Sequence, residues 1–298
     1  MMTKKKLIIE VRANEYAMRD GNPNVPWSAE EIARDAAECR EAGASIVHFH
    51  ARGPAGEPAF GMESYRESIR AVRARCDMLV YPTLGAHDRP VPAKERIVHI
   101  LELAAAGEAP DMAPMDMGST NADRLDPETG WFRGEERTYI NSHGTLRYFS
   151  EQLRAAGVKP QLVCWNLPML RAATAFLRAG LVDQPAWIYL GMSEASLAHH
   201  PATLRGMMAL VDFLPQDIRH EWTIAQTGGN ILPQAATAIA QGGHVSIGIG
   251  DHPYAELGSP RNADLVRRLV AIGRDCGREP STPAETRQML GMGQATGR

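Results

Sequence analysis

Short runs of apolar, often β-branched residues recur along the chain, with longer amphipathic stretches between them. They fall at residues 7–13 (LIIEVRA), 45–52 (SIVHFHAR), 78–85 (MLVYPTLG), 109–116 (APDMAPMD), 161–166 (QLVCWN), 186–192 (AWIYLGM), 220–226 (HEWTIAQ) and 244–251 (HVSIGIGD). Each gap is long enough for one crossover helix, which is the rhythm of a parallel sheet. The gaps also carry helix punctuation. Ser28 with Glu31 three residues on is a capping box, Ile32, Ala36 and Cys39 follow at helical spacing, and Gly43 ends the helix. Ser259 before Pro260 starts the helix after the eighth run, and Thr282, Pro283 and Glu285 start a short last one. Eight strand–helix units without a linker predict one domain over residues 1–298: an α/β fold, a closed (β/α)8 TIM barrel with a short extra C-terminal helix. A doubly wound sheet is the alternative, but the stretch after the first run, VRANEY, lacks the glycine fingerprint such a sheet uses.

Composition fits a sizeable folded core: 44% hydrophobic, 22% charged and 6% aromatic excludes disordered and collagen-like classes. With 32 basic and 35 acidic side chains the net charge is -3, so nothing favours nucleic acid or an anionic membrane, and a small-molecule partner is expected. Cys39, Cys76, Cys164 and Cys276 are dispersed with no C-x-x-C, which suits a reducing cytoplasm. The apolar run after the basic N-terminus is interrupted by Glu10 and Arg12, so neither a signal peptide nor a membrane span is expected there.

In such a barrel the chemistry lies at the C-terminal ends of the strands. There the second run ends His48-Phe49-His50-Ala51-Arg52, and residues two apart on a strand share a face, so both imidazoles and the guanidinium are expected to point into the barrel mouth. Two convergent histidines suit a divalent metal, zinc above all, which needs a further protein ligand; hydrogen-bonded core histidines are the bland alternative. The first and eighth runs neighbour the second in a closed barrel and end in polar residues: Arg12, Asn14 and Glu15, and Asp251 and His252. Glu10, Glu15, Asp251 and His252 are therefore the candidates for the third ligand. Glu10 and Arg12 share a strand face, as a functional pair or as a buried ion pair. The longest connection, 117–142, with Trp131 and Tyr139, reads as a lid, an oligomer contact or a solvated insertion.

The run NPNVPWSAEEIARDAAECREAGASIVHFHAR, the later GGHVSIGIGD and the tail GREPSTPAETRQMLG resemble the β-keto acid cleavage enzymes, from about Ile8 to Gly291. The resemblance implies a zinc-dependent (β/α)8 enzyme that converts a β-keto acid and acetyl-CoA to acetoacetate and a new acyl-CoA. It implies metal ligation by His48 and His50, with Arg52 and Asp251 also matching the family pattern. The family's third metal ligand, a glutamate, is Gly250 here, and its catalytic arginine is Ser246. Its third-strand S-T-G-G stands as Pro82-Thr83-Leu84-Gly85 and its fourth-strand T-x-N as Pro114-Met115-Asp116, while the glutamate expected after strand one falls near Tyr16, with Glu15 beside it.

The losses at 246 and 250 remove one positive and one negative group, and strand one offers a matching pair, which points to relocation. On that reading the catalytic residues are Asp251, Arg12 and Arg52, with Asp251 moving the proton and Arg12 gripping the substrate carboxylate. Glu10 or Glu15 lies near the metal, and Asn14, Glu15, Thr83 and Asp116 contact substrate. Partners are then a β-keto acid and acetyl-CoA, and the chain is expected to form a homo-oligomer. The alternatives are a silent relative that binds a carboxylate without turnover, and a metal-dependent hydrolase. The hydrolase would need histidines on strands five and six, where LVCWN and WIYLGM have none.

Overall fold

The computed structural model describes residues 5–84, 91–126 and 128–293. The first four runs form strands β1 Ile9–Arg12, β2 Ile46–Phe49, β3 Leu79–Pro82 and β4 Met112–Asp116; a small antiparallel hairpin, β5 Thr120–Asn121 and β6 Thr138–Tyr139, follows. The remaining runs form β7 Lys159–Cys164, β8 Ala186–Ser193, β9 His220–Thr227 and β10 His244–Ile247. The eight main strands are parallel, in the order β3-β2-β1-β10-β9-β8-β7-β4. The two ends of that order meet, because the Asp111 N–H donates to the Val80 carbonyl (3.0 Å) and the Val80 N–H to the Asp111 carboxylate (2.8 Å). The barrel is thus nearly closed.

Helices follow the strands: α1 Ala29–Ala42, α2 Met62–Arg75, α3 Ala93–Arg96, α4 Val98–Ala105, α5 His143–Ala155, α6 Leu167–Arg178, α7 Leu204–Val211, α8 Leu232–Ala240, α9 Asn262–Asp275 and α10 Pro283–Met289. The Ser28–Glu31 capping box opens α1 and Gly43, at φ 118°, closes it. Ile32, Ala36 and Cys39 are buried as their spacing requires. None of the helices among the described residues is long and apolar enough to cross a membrane.

Strand alternation layers the lumen. Ile8, Ile46, Leu79, Met112 and Trp187 pack at the floor with Leu290, which follows α10, so the short last helix plugs the N-terminal end of the barrel. Above them lies a buried polar layer in which the Tyr81 hydroxyl donates to the Gln161 side-chain carbonyl (2.7 Å) and the Gln161 amide to Glu10 (2.6 Å). The charged mouth comes next. The alternate residues, such as Val11, Val47, Phe49 and Val80, face the helices, each burial stabilising by roughly 1.5–3 kcal/mol.

Three expectations need correction. The helix after the eighth strand begins at Asn262, not at Ser259, which has φ 51° and donates its N–H to the Tyr254 carbonyl just behind a 3-10 turn over Ala255–Leu257. The eighth strand stops at Ile247 instead of running to Asp251, because the segment beyond it lies directly against the backbone of Arg12–Glu15. Residue 85, the last of the expected third strand, lies outside the described residues.

Candidate metal centre and cavity at the barrel mouth

His48 sits in β2 with its side chain turned to the lumen, and His50 follows two residues on, past the end of the strand. Both meet Glu15: His48 Nε2 lies 3.1 Å from Oε1 and His50 Nε2 2.9 Å from Oε2. One ligand atom from each of the three lies within 4.8 Å of the others. Two imidazole nitrogens and a carboxylate oxygen are the donor set of divalent-metal sites, so the residues present fit such an ion. Glu10, Asp251 and His252 do not join the cluster, and His252 pairs with Glu256 at 3.2 Å.

Glu15 reaches the histidines through an unusual backbone. It sits at φ 37°, a left-handed conformation costly for a non-glycine residue and found where function requires it. Arg52 holds that turn. Its guanidinium donates to the carbonyls of Glu15, Ala17 (2.5 Å) and Gly56 (2.7 Å), and it does not line the cavity. Arg52, expected to point into the barrel mouth with the two histidines, turns instead to these carbonyls: the alternation reaches His50 and is lost beyond it. Asn14 is likewise committed to structure: its amide donates to the Pro26 and His50 carbonyls (both 2.9 Å) and its oxygen accepts from the His50 N–H (2.8 Å). A Cβ at Gly250 would stand 2.7 Å from the Asn14 carbonyl carbon and the Glu15 nitrogen. A side chain at 250 and this Glu15 turn therefore exclude one another.

Arg12 faces the lumen, but not in the way expected of a free carboxylate clamp. Its Nε lies 2.7 Å from Asp251, Nη2 2.9 Å from Glu15 and Nη1 3.5 Å from Glu10, with the Tyr189 ring 5.2 Å away. Three of the protein's own carboxylates already surround it. Burial opposes the Glu15 charge, yet Arg12 and the two histidines outweigh burial and hold its carboxyl well below the usual range. Burial, reinforced by the Glu15 charge against the pull of Arg12, raises Asp251 to about 7. Burial also lowers His48 to about 4, which keeps its imidazole neutral and able to ligate.

These groups line a cavity of about 450 Å³, of the size that holds small-molecule ligands. Thr83 and Asp116 line it too, and Asp116 accepts the Tyr139 hydroxyl (2.7 Å). The wall away from the histidines is aromatic: Trp165 is stacked between Tyr139 (5.3 Å) and His199 (4.7 Å). Sequence reasoning passed over Tyr189 and Trp165, although stepping by two from Trp187 and Gln161 leads to both. No periodicity marks His199, which lies on the loop after β8.

The sequence profile of the family described as beta-keto acid cleavage enzyme matches residues 6–292. The 3-keto-5-aminohexanoate cleavage enzyme of Fusobacterium nucleatum is 30% identical over 98% of this chain and 99% of its own. The 3-dehydrocarnitine:acetyl-CoA trimethylamine transferase of Rhizobium meliloti is 29% identical over 90% of each chain, and the 3-oxoadipate:acetyl-CoA acetyltransferase of Cupriavidus necator 26% over 98% and 96%. Among solved structures, apo ObcA superposes with a TM-score of 0.71 at 17% identity, over 91% of this chain and 66% of that one, which supports the barrel fold alone.

Proposed function

The chain belongs to the beta-keto acid cleavage enzyme family, and from that premise we propose that it transfers the carboxymethyl unit of a β-keto acid to the acetyl group of acetyl-CoA. The bond between the keto carbon and C2 breaks, C2 bonds to the acetyl carbonyl carbon, and the sulfur of CoA takes the released acyl group. The products are acetoacetate and a new acyl-CoA, and all atoms are conserved.

The observation that carries this reading is the convergence of Glu15, His48 and His50 at the mouth of the cavity. Those three would hold a divalent ion, zinc by preference, and a bound zinc would supply Lewis-acid stabilisation for an enolate oxygen. Asp251, raised to about 7, is suited to take a proton from C2, the acidic carbon between the keto and carboxylate groups. Arg12 keeps Asp251 and Glu15 in place, and Thr83, which lines the same cavity, would contact the substrate carboxylate. Arg52 and Asn14 are positioning residues for the Glu15–His50 turn. We place the protein in the cytoplasm as a homo-oligomer: the dispersed cysteines suit a reducing compartment, and Trp131 and Ile140, on the connection after β4, expose large apolar surface.

Acetyl-CoA labelled in both acetyl carbons, incubated with a panel of β-keto acids, tests the reaction. The label should appear in the keto and methyl carbons of acetoacetate and nowhere in the new acyl-CoA. Binding of the acid without labelled acetoacetate would identify a silent relative and end the proposal.

A further inference from the structure

The cavity has a second charged wall that the reaction chemistry leaves unused. Arg124 and Arg137 both line it from the connection after β4, and among the described residues neither has a carboxylate partner. They are carried by a built ladder: Thr120 pairs with Tyr139 and Asn121 with Thr138, and the Ala122 N–H donates to the Arg137 carbonyl (2.8 Å). The Arg133 N–H donates to the Arg124 carbonyl (2.9 Å), and Arg124 also bridges to Ser196 on the loop after β8. Arg124 lies near enough to His199 to disfavour protonation of that imidazole, after burial, the larger cause.

The carboxylates of the cavity do not neutralise this wall. Glu15 and Asp251 belong to Arg12, Asp116 accepts the Tyr139 hydroxyl, and Asp20 lies on the loop after β1.

We propose that Arg124 and Arg137 form a second anion site, across the cavity from the Glu15–His48–His50 cluster, for a carboxylate or phosphate on the far end of a substrate. Two sources share that chemistry: a distal carboxylate on the β-keto acid, or the phosphates of CoA. The cavity is too small for a whole CoA, so its phosphates would lie at the rim, where the exposed guanidiniums are. The inference rests on the proposed reaction for the identity of the two substrates, but not for the presence of an anion site.

Binding and turnover are therefore read separately on Arg124→Gln/Arg137→Gln, with metal content and Tm as folding controls. Calorimetric titration of glutarate and of adenosine 3′,5′-bisphosphate needs no catalysis. Wild type should bind at least one, and the double variant should bind it at least tenfold more weakly. In kinetics, a distal carboxylate predicts at least a tenfold fall in kcat/KM for a keto acid ending in a carboxylate, with an alkyl-ended acid unaffected. CoA phosphates predict instead a tenfold rise in KM for acetyl-CoA with every acid, and no change with acetyl-pantetheine. Unchanged binding of both probes by the variant, or no binding of either by wild type, overturns the proposal. Failure of wild type to turn over any acid while still binding a probe overturns the reaction alone.

Discussion

At the mouth of the barrel a glutamate, two histidines and an arginine meet; at its floor a glutamate, a histidine, an arginine and a lysine do. At the floor these four side chains are bonded within the chain itself. His244 Nδ1 accepts the Ile8 N–H (2.9 Å), its Nε2 meets Glu221 (2.9 Å), and Lys5 pairs with the same carboxylate. Arg278 donates to the carbonyls of Lys5 (3.0 Å), Lys6 (2.8 Å), Ile239 (2.8 Å) and Gly243 (2.5 Å). At the mouth the contacts are as short but poorly aligned: Arg12 Nε, Asp251 Oδ2 and Glu15 Oε1 lie in ion pairs without a well-directed hydrogen bond, and His48 Nδ1 has no hydrogen-bond partner. Buried polar groups are normally satisfied, so a cluster held by charge and left short of directed bonds marks a site built for something else. The same residue types thus tie segments distant in sequence together at one end and form a charged cluster with the donor set of a metal site at the other.

Substitutions should separate the two ends cleanly. Replacing both His48 and His50 by alanine should reduce bound metal to background and kcat/KM by on the order of a thousandfold, about 4 kcal/mol, because the Lewis acid goes with its ligands. Elemental analysis beside kinetics checks this, and an unchanged metal content would place the ion elsewhere. At the floor, Arg278→Ala should leave buried carbonyls unpaired and cost about 3 kcal/mol of stability. Denaturant unfolding measures the cost. Any protein that remains folded should keep the wild-type KM, and a selective loss of catalysis would erase the contrast between the ends.

Placing a carboxylate at 250 sharpens the comparison further. In Gly250→Glu the new side chain collides with the Asn14–Glu15 backbone, so the added ligand should displace the existing one. We expect a cost of about 2 kcal/mol in stability and weaker metal binding despite the extra carboxylate. A variant that binds metal more tightly than wild type would refute the exclusion of one glutamate by the other.

That exclusion also explains what could be read in the sequence. The strand rhythm and the capping boxes at Ser28 and Thr282 announced the barrel, and the spacing of His48 and His50 put two imidazoles on one face, because strand alternation and helix capping are local rules. Choosing among Glu10, Glu15, Asp251 and His252 required knowing that Gly250 lies on the Glu15 backbone, a contact between residues 235 positions apart that no periodicity encodes. Arg52 escapes the same local rule for a related reason: alternation reaches His50, but the next step meets the carbonyls of Glu15 and Ala17, contacts distant in sequence that draw the guanidinium out of the mouth. The arginines at 124 and 137 become cavity residues only because their hairpin is tied to the loop after β8.

The smallest expected effect concerns pH. Burial lowers His244 to about 4, with Glu221 opposing, so the folded state holds this imidazole neutral while the unfolded chain, near 6.5, protonates it. Between those values the unfolded state binds more protons, so this contribution to stability is complete above about pH 6.5 and is lost as pH falls toward 4. From pH 7 to 5 the loss amounts to about 2 kcal/mol. Buried His48, His99 and His199 titrate in the same sense, whereas the raised carboxyls of Asp35 and Asp251 act in the opposite one, so total acid sensitivity identifies no single group. The difference between wild type and His244→Gln does. Glutamine can still accept the Ile8 N–H but does not titrate, so its unfolding free energy should fall less steeply from pH 7 to 5 by that amount. Parallel slopes for the two proteins would show that His244 is not held neutral and that the floor, like the mouth, carries a charge the fold has not fully compensated.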